Sequence, residues 1–503
     1  MHFIQPELHT RRAFLRRSAQ LAFTGAALPT ALNLAALGEA AAFNATDYKA
    51  LVCVFLYGGN DYANTLVPYD AATYAQYAQI RGDGRTDGTA SGIALARASL
   101  APTLLTPSTA LPGGRQYALH PAMTGLANLF NNGNAAVLLN VGPLVVPLTR
   151  TQYRSSNRAT YPLPPKLFSH NDQQSIWQSS SPEGSTVGWG GNIGDLVLGS
   201  NANSNSLFTC MSVAGNTVFL SGDSALSYQV GTSGAVKINS VSSNVYGSSA
   251  VRAAMAQLTQ QASSHRLENE YNRVTSRAIG AENTITTSLA SPAAADSNTA
   301  PNPSFAAFTP TVLANNSLAS QLKMVARLIA ARDSLGAKRQ VFFVSLGGFD
   351  MHDNLLSGHT TQLGRLSLAM TAFQESMVAL GVADKVTAFT ASDFGRTLTS
   401  NGDGSDHGWG SHHLIVGGAV NGTATRGRFY GSAPPVSVGD STTDANDQWH
   451  VGQGRLLPST SVDQYAATLA RWFGVESGEL SGILPNIGHF GGTDYPLDLG
   501  FLS

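Results

Sequence analysis

Val341-Phe-Phe-Val-Ser-Leu-Gly-Gly-Phe-Asp350-Met-His352 is the stretch whose reading decides the fold. An apolar run too short for a free-standing helix breaks at a Gly-Gly pair and delivers an acid and a histidine. Such a run reads as a strand buried on both faces. Two similar pieces follow. Val386-Thr-Ala-Phe-Thr-Ala-Ser-Asp393-Phe-Gly-Arg396-Thr397 is a second strand ending in an acid. Asp406-His407-Gly-Trp-Gly-Ser-His412-His413 is a His-rich loop leading into Leu414-Ile-Val-Gly-Gly418. Open α/β sheets bind ligands outside the carboxyl ends of their strands, and Asp oxygen with His nitrogen is a donor set for divalent metals. The stretch therefore predicts a metal site at a sheet edge.

The same ending occurs far upstream, where Ala50-Leu-Val-Cys-Val-Phe-Leu-Tyr57 runs into Gly58-Gly59-Asn60-Asp61. Asp61 is read as a first metal ligand, and Asn64 or Thr65 as facing a substrate. Ala135–Gly142 is a further buried strand, preceded by a helix-like stretch from His120 to Phe130. Amphipathic helices are expected over 317–334 and 363–380, each feeding a strand, and over 462–473, capped by Ser461 or Thr460. Strands alternating with helices predict an α/β fold whose central sheet is mostly parallel. The Ser/Asn/Val/Gly-rich region 200–249 reads as short strands or an insertion, Val251 to Ile279 as a helical stretch and the Ala/Ser/Pro-rich stretch near 290–310 as a mobile loop, within one domain spanning 43–503. Phe168-Ser-His170-Asn-Asp172 reads as a hydrogen-bonded loop, although a His with an Asp two residues on also suits a metal or a substrate.

Bulk properties narrow the classes. A net charge of −1 over 503 residues gives no electrostatic case for nucleic acid. Two cysteines, Cys53 and Cys210, make no disulfide framework, and Cys53 sits inside an apolar run as a core residue. Thr10-Arg11-Arg12-Ala13-Phe14-Leu15-Arg16, a mildly apolar segment and Ala40-Ala41-Ala42 read as a twin-arginine signal over 1–42. Gly25, Pro29, Asn33 and Gly38 make that segment a poor membrane anchor, so a periplasmic or secreted protein without a transmembrane anchor is expected. No Gly-x-Ser-x-Gly elbow, Walker loop or His-Glu-x-x-His helix occurs.

Asp61, Asp350, His352, Asp393, Asp406 and His407 form the expected ligand set. Clustered carboxylates repel one another, and a divalent cation removes that penalty. Asp350 and His352 share a face if extended, whereas Asp406 and His407 need the turn that Gly404, Gly408 and Gly410 permit. Arg396 is placed to neutralise an anionic substrate.

Taken together, Phe55-Leu-Tyr-Gly-Gly-Asn-Asp61, Val141-Gly-Pro-Leu144, Gly347–His352, Ser392–Thr397, Asp406–Gly410 and Ser461–Ala470 resemble an exported bacterial family, the domain-of-unknown-function family 1501. That family is grouped with the alkaline phosphatase and sulfatase superfamily. The resemblance implies a mostly parallel central sheet, one or two divalent metals (zinc, manganese, calcium or magnesium), and hydrolysis of phosphate or sulfate esters. By position, Asp61 resembles the first-strand metal Asp, Asp350 and His352 the second cluster, Asp393 the acid of a later strand, and Asp406-His407 the distal element. The chain departs from the superfamily in carrying Phe394 where His often follows that later Asp. Cys53 lies too early for the usual nucleophile, which leaves Thr65 or a metal-bound water to attack. The alternative is a non-catalytic envelope protein of the same fold that binds a glycan or an exported protein partner.

Overall fold

The computed structural model describes residues 43, 45–82, 92–421 and 427–503; the twin-arginine segment lies outside the described residues. Ten strands form the main sheet: β1 Lys49–Leu56, β2 Ala135–Gly142, β3 Cys210–Ser212, β4 Ser227–Gly231, β5 Gly234–Ala235, β6 Arg339–Leu346, β7 Val386–Ser392, β8 Ser411–Val416, β9 Arg428–Tyr430 and β10 Thr460–Ser461. The helices that matter here are α1 Ala71–Arg81, α2 Thr124–Asn131, α3 His170–Ser179, α4 Trp189–Ser200, α5 Ser249–Leu258, α6 Arg266–Leu289, α7 Ser317–Ala330, α8 Leu355–Ala379 and α9 Val462–Phe473.

The sheet order is β9-β2-β8-β7-β1-β6-β3-β4-β5, with β10 also paired to β2. β1 lies at the centre, parallel to both β6 and β7. Its continuous apolar sequence follows from its two faces. Ala50, Val52, Val54 and Leu56 join Phe342, Val344, α7, α8 and α2 on one side. Leu51, Cys53 and Phe55 join Val341, Phe343, α4 and α9 on the other. Each such fully buried large side chain stabilises the fold by about 1.5–3 kcal/mol relative to exposure. The fold is thus α/β, with a mixed, mostly parallel sheet between helical layers.

The expected strands at 50–57, 135–142, 341 and 386 all form, and α9 begins on a capping box in which Ser461 accepts from Gln464 N and Gln464 reaches back to Ser461 N. The short strands expected in 200–249 form as β3, β4 and β5 and join the main sheet. Two features differ from the sequence reading. β8 runs antiparallel to β7 and β2, because residues 393–410 build the site loops rather than the helical crossover a parallel strand needs. The stretch near 290–310 is no free loop, since Phe305 and Phe308 are buried against the core. No helix among the described residues is long and apolar enough to cross a membrane.

Candidate metal centre

β1, β6 and β7 are mutually in register, so their carboxyl ends open at one edge of the sheet. β8 is antiparallel, so the loop before it reaches that edge too. The loop after β7 folds back on itself: Gly408 N donates to Gly395 O (2.7 Å), Gly395 N to Trp409 O (2.9 Å) and Thr397 N to Asp406 O (2.9 Å). The loop after β6 is tied to it through Ser405 N to Met351 O (3.1 Å). These backbones touch. A Cβ on Gly58 would collide with the Asp350 backbone N, one on Gly395 with Gly410 O, and one on Gly404 with the backbone of His352.

The edge gathers histidines around Asp350, whose side chain is 43% exposed. His170 Nε2, His407 Nε2 and an Asp350 oxygen lie within 4.8 Å of one another. The partners fix the tautomers. His407 Nδ1 lies 2.7 Å from Phe168 O, which only accepts, so Nδ1 carries the proton and Nε2 a lone pair. His170 Nδ1 donates to the carboxylate of Asp393 at 2.7 Å, which turns its Nε2 towards the cluster. That Nε2 is buried without a hydrogen-bond partner, its neighbour at 3.4 Å being Asp350 Oδ2. An orphaned imidazole nitrogen, a second bare nitrogen and a carboxylate make a fitting donor set for a divalent metal. The hydrogen bonds behind each ring are of the kind that orient metal-bound histidines.

His352 leans in from the solvent side. Its Nε2 is 3.0 Å from His407 Nε2 and 3.1 Å from Asp350 Oδ1, and its Nδ1 faces Asp406 Oδ1 at 3.4 Å. Asp406 therefore reaches the cluster only through His352, and its Oδ1 also accepts from Asn401 Nδ2. Asp393 is likewise one step back. It is fully buried and accepts from Gly58 N, Gln174 Nε2 and His170 Nδ1. Phe394 packs between two candidate ligand rings, 4.8 Å from His170 and 4.6 Å from His407.

Electrostatics agree with this division. The hydrogen bond that His170 donates to Asp393 raises the His170 pKa, outweighing burial, so a metal would take the place of a proton on its Nε2. Burial lowers that of His407 and keeps it neutral. Burial pushes the Asp350 carboxyl up, but Arg396 and the neighbouring histidines pull it below the usual carboxylate range.

Three expected site residues have other work. Asp61 is 1% exposed and clamped by Arg81, Nη1 at 3.1 Å and Nη2 at 2.5 Å, while it caps the turn Tyr62–Thr65 through Ala63 N. Thr65 is 4% exposed, and its hydroxyl is engaged with Asp61 O (2.8 Å) and Asn60 Oδ1 (3.1 Å), so it presents no free nucleophile. Arg396 is fully buried and binds Asp350 Oδ1, Gly58 O and Ser405, which leaves no donor turned outward for a substrate. His170 is the candidate ligand that the sequence reading left in a loop. Its neighbour Asp172 drew attention to the wrong acid: Asp172 meets Ser169 Oγ and Lys166, whereas the true partner, Asp393, comes from β7. Phe168 carries the remaining local signal, a left-handed φ of 73° that aims its carbonyl at His407.

A family model described as "Protein of unknown function (DUF1501)" matches residues 48–475. The chain belongs to this family. The matched span contains every strand end that builds the DUF1501 site, from Gly58 to Arg455. No curated protein matches the chain.

Proposed function

We propose that this DUF1501 chain is an exported, metal-dependent hydrolase of phosphate or sulfate esters, with its centre at His170, Asp350 and His407. The observation that carries the reading is the pair of imidazoles, each pinned through Nδ1, whose Nε2 atoms face one half-exposed carboxylate. Nitrogen-rich donors favour zinc over manganese, calcium or magnesium, and one cluster among the described residues suits one ion. A bound ion would supply Lewis-acid stabilisation of charge developing on a phosphoryl or sulfuryl oxygen.

The chain's own residues do the rest. Arg396 holds Asp350 in place, Asp393 and Phe168 fix the ligand rings, and His352, steadied by Asp406, holds or releases a proton at the solvent rim. With Thr65 sealed, attack falls to water. The mostly parallel sheet with its site at the carboxyl edge supports an alkaline phosphatase-like fold, and Arg11-Arg12 with the segment after them supports twin-arginine export to the periplasm or medium.

The sealed Thr65 and the Arg81-bound Asp61 favour a second reading, a non-catalytic envelope protein that keeps the fold and binds a glycan or protein partner. Metal analysis of purified protein beside His170→Ala, followed by turnover of aryl phosphate and aryl sulfate, separates the readings. About one equivalent in the wild type alone, with turnover, is expected. A folded protein that takes up no divalent ion, even when supplied with one, sinks the hydrolase. Metal without turnover leaves the binding protein.

A further inference from the structure

Arg455 sits on a turn pinned from several sides. Val451 N donates to Arg455 O (2.9 Å), Leu398 N to Gln453 O (3.0 Å), Gly410 N to Leu456 O (2.9 Å), and Tyr62 hydroxyl to Gly454 O (2.8 Å). The backbone that launches the side chain is therefore fixed against the loop after β7 and the turn after β1. The side chain is fixed as well: Nε donates to His407 O (2.7 Å), and the guanidinium lies 5.3 Å from the centre of the Phe168 ring. His407 and Phe168 are the donor and acceptor that set the centre's tautomer, so Arg455 is built against the site itself.

The two Nη groups are unspent. A guanidinium offers five N–H donors, and Nε makes the one side-chain hydrogen bond that Arg455 forms among the described residues. No carboxylate lies within 4.0 Å of it among those residues. Arg396, the arginine that sequence reading assigned to the substrate, is in the opposite condition, fully buried with its donors taken. The site holds the carboxylates of Asp350, Asp393 and Asp406 against two guanidiniums. A divalent cation reverses the sign of that balance and makes the space in front of Arg455 receptive to an anion.

We infer that Arg455 grips the non-bridging oxygens of a tetrahedral oxoanion, the phosphate or sulfate group of the substrate, with its two free Nη groups. This rests on the metal-centre reading for the location of the reacting group. Two parallel N–H donors match two oxygens of such a group, which one ammonium cannot reproduce. Arg455 is thus a substrate-binding residue, while Arg396 positions Asp350.

The test is calorimetric binding of inorganic phosphate and of sulfate to the zinc-loaded full chain, with zinc content measured for the wild type, Arg455→Gln and Arg455→Lys. Expected is phosphate or sulfate binding by the wild type, weakened about ten- to a hundredfold in Arg455→Gln at unchanged zinc, with partial recovery in Arg455→Lys; that is the range a charge-assisted hydrogen bond carries. Equal binding by the wild type and Arg455→Gln overturns the proposal. Zinc uptake without binding of either anion also overturns it, and leaves the metal centre standing. Arginine-dependent anion binding by a chain that takes up no zinc keeps Arg455 and removes the metal reading. If Arg455→Gln does not fold, Arg455→Lys decides: weaker binding than wild type supports the fork, and equal binding overturns it.

Discussion

Two neighbouring strands end in the same words, Gly58-Gly59-Asn60-Asp61 after β1 and Gly347-Gly348-Phe349-Asp350 after β6, and the two acids meet opposite fates. Each pairs with a buried arginine. Asp61 and Arg81 are both sealed, at 1% and 0% exposure. Arg396 is equally sealed, but Asp350 is 43% exposed and ringed by histidines. In the first pair both charges are spent on holding a turn. In the second, the arginine anchors one oxygen of a carboxylate that still faces outward. A strand-end acid is therefore a ligand or a strut according to what covers it.

The largest effect expected from breaking this contrast is on Asp61. Asp61→Asn leaves Arg81 buried and uncompensated and should cost about 3–5 kcal/mol in denaturant unfolding, with the metal content of folded protein unchanged. Wild-type stability with lost metal would move Asp61 into the site. Asp350→Ala should do the reverse. Metal falls to background, while the apo protein loses about 1–2 kcal/mol, because Arg396 keeps Gly58 O and Ser405 as acceptors. Retention of metal by that variant would remove Asp350 from the ligands. Asp393→Asn tests the residue one step back: zinc affinity, read by chelator competition, should weaken about 10–100-fold as His170 loses its carboxylate. Unchanged affinity would mean that His170 does not bind.

The smallest effect sharpens the comparison from a third acid. Asp463 is fully buried with no cation paired to it among the described residues, and burial pushes its carboxyl up to about 7. The folded protein thus holds a proton that the unfolded chain releases, so stability is full below the ordinary carboxylate value and falls as pH rises towards about 7. The slope is at most about 1.4 kcal/mol per pH unit. Asp463→Asn should flatten that part of the melting-temperature profile, and a profile with the slope intact would assign it to another group.

Much of the frame was legible because β1, β2, β6 and β7 are buried on both faces and must be apolar throughout. Asp350, His352, Asp393 and His407 were legible as strand-end groups, although not which of them stand in front. Arg81, which claims Asp61, sits at the end of α1, and no pattern in the Gly-Gly-Asn-Asp segment announces it. His170 was hidden for the same reason, since its partner arrives from β7. The direction of β8 could not be read at all, because a strand's sequence carries its burial but not its polarity. Arg455 gave no signal, as its role is set by contacts with His407 and Phe168.

The placement of β1 also has a consequence in time. Lys49 lies opposite Arg339 and Ala50 opposite Val386, so the central strand is synthesised first and waits for its first partner until roughly three hundred more residues have been made. Until then it carries two unsatisfied hydrogen-bonding edges and no finished site. Folding should be slow and dominated by long-range closure, and a chain interrupted before β6 should leave β1 as a sticky apolar strand with nothing to pair with.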